Sequence, residues 1–112
     1  KDAPRQVLET YPHAVYTALL GCKPFPKHTL EGRIQRQLAL YARKVDLPDP
    51  MRIFEEITRH KLLHGILPLD TLHTPAELDA LAAAYTARLA ALHPEDITLL
   101  GNPAEGQIAL PH

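Results

Sequence analysis

Proline placement constrains this chain more than any other feature. Eleven of its 112 residues are proline. Proline lacks an N–H donor and fixes φ, so few of these positions can lie inside a helix or a central strand. The apolar segments between them must be short elements with readable ends. Gln6–Tyr11 carries Val7, Thr10 and Tyr11, which favour extended backbone, and stops at Pro12, so it predicts a strand with Glu9 near its end. Pro12 suits the first turn of a helix, and Ala14, Val15, Ala18 and Leu19 follow at helical spacing until Gly21, giving about two turns. Lys23-Pro24-Phe25-Pro26-Lys27 is a loop, because each proline pushes its predecessor toward extended geometry.

Thr29 is positioned to cap the next helix, in which Leu30, Ile34, Leu38, Tyr41 and Val45 form one apolar stripe. Asp46-Leu47-Pro48-Asp49-Pro50 breaks it. Asp49 as cap and Pro50 at the first helical position then restart a helix carrying Ile53, Phe54, Ile57 and Leu62, with its exit at Gly65 and Pro68. Thr74-Pro75-Ala76-Glu77 is a capping box and opens a long helix that runs to about Leu92. Ile97–Leu100 and Gln107–Leu110 flank a Gly101–Gly106 segment, predicting a small hairpin or a pair of terminal strands.

A chain of this length is expected to build one core, not two. Hydrophobic residues at 46% and charged residues at 22% place it among globular chains. No apolar stretch approaches the ~20 residues that cross a bilayer, so no membrane partner is expected. The opening Lys1-Asp2-Ala3-Pro4-Arg5 is charged, and no apolar run of signal-peptide type follows. The single Cys22 excludes an internal disulfide and points to a reducing, cytoplasmic location. Charge is uneven. From Gly21 to Lys61 nine Lys/Arg face five acids, a balance of +4, whereas from Leu62 onward Arg88 alone faces six acids, a balance of −5. The basic middle could track the phosphates of a nucleic acid or form a solvated helical surface.

Two acids stand out. Glu9 sits in a strand, where carboxylates are depleted and a buried one costs several kcal/mol unless paired or metal-bound. It also suits a solvent-facing place at an edge-strand end. Asp79 lies on the long helix, whose Leu78, Leu81, Ala82, Tyr85, Leu89 and Leu92 follow helical spacing while Asp79, Ala83, Thr86 and Ala90 form an adjacent small-residue face. Such a face permits close packing on a sheet and would bring Asp79 toward the strand ends. The macrodipole equally favours a plain surface acid there.

Leu8-Glu9-Thr10-Tyr11-Pro12, then Leu78-Asp79-Ala80-Leu81-Ala82-Ala83-Ala84, then Leu100-Gly101-Asn102-Pro103-Ala104-Glu105-Gly106-Gln107-Ile108-Ala109-Leu110-Pro111 resemble three successive signatures of the family called domain of unknown function 429. Each motif is weak alone; their order and spacing carry the likeness. The resemblance implies an α/β fold, the C-terminal portion of an RNase H-like fold, predominantly helical with a few short strands, so that residues 1–112 form a single domain or a domain fragment. It implies metal-dependent nuclease chemistry, with Glu9 and Asp79 as the catalytic metal ligands for Mg²⁺ or Mn²⁺. The family pattern also has an aspartate on a first strand, preceding the Glu-x-Tyr-Pro element, which nothing in this sequence matches. Two-metal hydrolysis needs several carboxylates, so this chain alone is expected to bind metal weakly and to be inactive. A sheet short of strands would also favour pairing with a second copy.

Other patterns carry less. His60 and His64 have a spacing that can hold zinc, but Lys61 stands where a zinc protease has its glutamate. No Gly-rich phosphate loop occurs, and nothing around Cys22 activates it as a nucleophile. The rival to the nuclease reading is a non-catalytic helical interaction module in which Glu9 and Asp79 are surface acids.

Overall fold

The residues that punctuate the sequence also cap the elements of the fold. The computed structural model describes residues 8–9, 11–100 and 107–111, with the side chains of residues 8, 9, 100, 107 and 108 left aside. In order, β1 (Leu8–Glu9), α1 (Pro12–Leu20), α2 (Leu30–Ala42), α3 (Ile53–Glu56), α4 (Arg59–Leu63), α5 (Pro75–Leu92), β2 (Ile97–Leu100) and β3 (Gln107–Pro111) are joined by short 3₁₀ turns at Pro50–Arg52, Leu69–Thr71 and Pro94–Asp96. The result is mostly helical with one small sheet, an α/β composition. No described helix is long and apolar enough to cross a membrane.

Where length predicts one core, the chain gathers into two compact units, one of residues 1–23 and 79–112, the other of residues 24–78. The first holds a three-stranded sheet in the order β1-β3-β2. β3 runs parallel to β1, with Glu9 opposite Ile108. It runs antiparallel to β2, from Ile97 opposite Pro111 to Leu100 opposite Ile108. The expected terminal strands are thus present, while the Gly101–Gly106 segment and Gln6, Val7 and Thr10 of the expected first strand lie outside the described residues. α1 packs against β3, and Val15, Tyr16, Ala109 and Pro111 are buried. On α5, Leu78, Ala82 and Thr86 are buried at a four-residue interval, so the helix turns a narrow, mostly small-residue stripe inward. Leu92, expected on the apolar face, is exposed.

The second unit is helical. Ile34, Ile53 and Leu72 form its core, with Leu30, Ile57 and Leu69 packed against them. Thr29 caps α2, its Oγ1 accepting from the Gly32 N–H at 3.0 Å and donating to the Pro26 carbonyl at 2.7 Å. Gly32 is buried, and a Cβ there would overlap the Pro26 carbonyl oxygen. The proline loop is therefore pressed onto α2, held also by Arg36 donating to the Phe25 carbonyl at 2.7 Å and by the Phe25 N–H donating to Gln35 Oε1 at 2.8 Å.

Two expectations are corrected here. The stripe on α2 is rotated and shorter: Tyr41 is exposed, Val45 lies beyond the helix, and Ile34, Arg36, Gln37 and Leu40 are the buried side chains. Nor does one helix carry Ile53 through Leu62. Ile57 is extended, and Thr58 begins a new helix by accepting from the Lys61 N–H at 3.1 Å. A threonine hydroxyl offers the backbone a local partner that competes with helix continuation, and this one wins.

Candidate functional site

Glu9 closes β1 and Asp79 lies in the second turn of α5, half-buried and one position past the fully buried Leu78. Both belong to the compact unit that contains the sheet. The Glu9 backbone is fixed beside the central strand β3; its side chain lies outside the described structure. Asp79 is positioned by a strong helix start. The Thr74 N–H donates to Glu77 Oε1 at 2.8 Å and the Glu77 N–H donates back to Thr74 Oγ1 at 3.1 Å, so each end of the box satisfies a donor that the first helical turn leaves free. The bond from the Thr74 N–H holds the Glu77 carboxyl below its ordinary range, with a smaller contribution from His73 alongside.

Of the expected small-residue face only Thr86 is buried, and it shares the buried stripe with Leu78 and Ala82, while Asp79, Ala83 and Ala90 are half-buried. Thr86 is 1% exposed, and its hydroxyl donates to the Ala82 carbonyl at 2.9 Å. Such back-bonding satisfies a hydroxyl without any partner outside the helix, which is how a threonine can sit on the buried face.

The basic middle is partly consumed by structure. Arg36 is 3% exposed and bonded to the carbonyls of Phe25 and Gly32. Arg33 Nε donates to the His73 carbonyl at 2.9 Å, and Lys61 Nζ reaches the Glu56 carbonyl. Lys23, Lys27, Arg43, Lys44, Arg52 and Arg59 remain exposed. The His60 and His64 rings lie 4.3 Å apart on α4, and His64 Nδ1 is 2.7 Å from the His60 carbonyl oxygen, so one of its two ring nitrogens is already engaged.

The sequence reading passed over two groups. Gln37, fully buried, donates to the carbonyls of Pro48 at 2.9 Å and Thr71 at 2.6 Å, and accepts from the His73 N–H at 2.7 Å. No periodicity rule finds a buried amide. His93, Glu95 and Asp96 bring three metal-ligating side chains together after α5; the His-Pro-Glu-Asp tetrapeptide was the available signal.

The comparisons bear on the sheet-bearing unit and the helical unit alike. The model of the family described as protein of unknown function (DUF429) matches residues 1–105. No curated protein and no solved structure matches the chain. Because the family match spans nearly the whole sequence, including the Glu-x-Tyr-Pro and Leu-Asp-Ala segments, the chain belongs to the DUF429 family.

Proposed function

We propose that this chain is the C-terminal, ligand-bearing portion of an RNase H-like, metal-dependent nuclease domain, with Glu9 and Asp79 as ligands to Mg²⁺ or Mn²⁺ and nucleic acid as substrate. The observation that carries the reading is the placement of both acids in one compact unit, one ending a strand beside the central strand, the other near the start of a long helix with a small-residue buried stripe. The donor set fits the ion class, since carboxylate oxygens are the hard ligands that Mg²⁺ and Mn²⁺ prefer. A divalent ion bound there supplies charge stabilisation and a more acidic water for phosphodiester hydrolysis. Glu9 and Asp79 would hold and orient it, and the exposed cations of the middle region would supply separate phosphate contacts. Two carboxylates are too few for tight binding, so the first-strand aspartate of the family pattern must come from outside these residues.

One observation favours a second reading, a non-catalytic interaction module. Phe54, Leu62, Leu63, Ile66 and Leu67 are exposed on and after α3 and α4, a density of apolar surface that often marks a contact for a partner. Mn²⁺-dependent cleavage of labelled RNA and DNA separates the two. The isolated chain is expected to be inactive, and to cleave once the segment bearing the first-strand aspartate is supplied, with Glu9→Gln and Asp79→Asn each abolishing the activity. Cleavage that survives both substitutions removes the ligand assignment, and a reconstituted protein that neither cleaves nor binds Mn²⁺ favours the interaction module.

A further inference from the structure

Where α5 ends, the chain passes through His93-Pro94-Glu95-Asp96, and three side chains of metal-ligating type converge. Each offers one donor atom, and these atoms all lie within 4.8 Å of one another. His93 Nδ1 is 3.5 Å from Glu95 Oε2. Two bonds of ~2.1 Å to atoms at that separation enclose about 110°, close to the tetrahedral angle that zinc adopts. That pair lies within reach of one shared ion, and the Asp96 carboxylate is within 4.8 Å of both.

The backbone carrying these side chains is braced on both sides. The His93 N–H still donates to the Leu89 carbonyl of α5 at 2.7 Å, and the Asp96 N–H closes the turn onto the His93 carbonyl at 2.9 Å. Pro94 occupies the first position of the 3₁₀ turn and pre-sets its φ. Ile97, the next residue, already pairs with Pro111 in the sheet. The backbone of the triad is thus held between a helix end and a strand start, so a ligand has mainly side-chain freedom left to fix.

The local field also calls for a cation. An 18-residue helix presents its carbonyl end here with no basic residue in its last turn, and that partial negative charge adds to the two carboxylates. From Leu62 onward the chain has only Arg88 as a Lys or Arg.

The donor chemistry selects the ion. One imidazole nitrogen with two carboxylate oxygens suits zinc and similar borderline ions, whereas Mg²⁺ and Ca²⁺ favour all-oxygen shells. We propose that the turn binds one zinc-class divalent ion through His93, Glu95 and Asp96, with solvent completing the coordination. The site is independent of the Glu9 and Asp79 reading.

The test is calorimetric titration of Zn²⁺ into the full chain carrying His60→Gln and His64→Gln, which removes the competing histidine pair on α4. One saturable equivalent is expected, unaffected by Asp79→Asn and not displaced by excess Mg²⁺. His93→Gln and Glu95→Gln, both at exposed positions, should each weaken binding by about tenfold or more, since even the outer partners of metal ligands contribute ~10–100-fold. Unchanged circular dichroism would confirm that the variants keep their fold. Absence of saturable Zn²⁺ binding in the histidine-pair background, or affinity that stays within about twofold in both ligand variants, overturns the proposal.

Discussion

Gln37 is the residue on which the helical unit most depends. Its amide uses two donors and one acceptor on three backbone groups from two separate segments, at Pro48 and at Thr71 and His73. Removing it strands those groups away from water, and each unsatisfied buried group costs about 1–3 kcal/mol. Gln37→Leu, which keeps approximate volume, should therefore destabilise by ~3 kcal/mol or more, read as a lower urea midpoint. The opposite sign is expected at Lys44. It holds φ 68° as α2 closes with the Val45 N–H on the Leu40 carbonyl and the Lys44 N–H on the Tyr41 carbonyl. α4 closes with the same pair of bonds, from Ile66 to Lys61 and from Gly65 to Leu62, and there the left-handed position is a glycine. A left-handed residue with a Cβ is strained by ~1–2 kcal/mol, partly offset by glycine's greater unfolded entropy. Lys44→Gly should raise stability by about 0.5–1 kcal/mol in the same assay.

At the level of elements, the capping box of α5 ties stability to acidity. Glu77 has a folded pKa below its unfolded value, so its contribution is fully present above the ordinary carboxyl range and is lost as pH falls through the folded value. Glu77→Gln should flatten that part of the stability profile, lowering stability in the neutral region where the ionised parent has its full contribution and converging with the parent in acid. Acid titration of the variant beside the parent, followed by helical dichroism, checks this. Such boxes are legible in sequence because every partner is local, and the starts of α1, α2 and α5 and the ends at Gly21 and Leu92 agree with the expected ones. One difference depends on distant partners and another on a local cap inside an apolar run. The buried face of α2 follows Gln37 and Arg36, whose acceptors lie 11 or more residues away, or within α2 itself at Gly32, and hydrophobic periodicity ranks such residues as surface. The break at Ile57 and Thr58 was missed because a threonine inside an apolar run reads as helix until its hydroxyl is seen to cap. For the candidate site, the residue types and their order were readable, but the pairing of β1 with β3 joins the two ends of the chain and no local rule announces it.

For the whole molecule, the sheet decides association. Among the described strands, β1 is paired on one side only, and a row of unpaired backbone groups at an edge is a template for another strand. Self-association is the expected outcome in sedimentation at rising concentration, and a cooperative monomer at all concentrations would reject it. The position of β3 has a separate consequence during synthesis. This central strand comes last among the described elements, and both of its described neighbours pair with it. The helical unit is contiguous, residues 24–78, and its longest described closures, from Arg33 and Gln37 to the segment at Thr71 and His73, lie wholly within that range. A nascent chain leaving the ribosome thus has every residue of the helical unit before residue 107 exists, whereas the pairing of β1 with β3 forms only after residue 107 has been made.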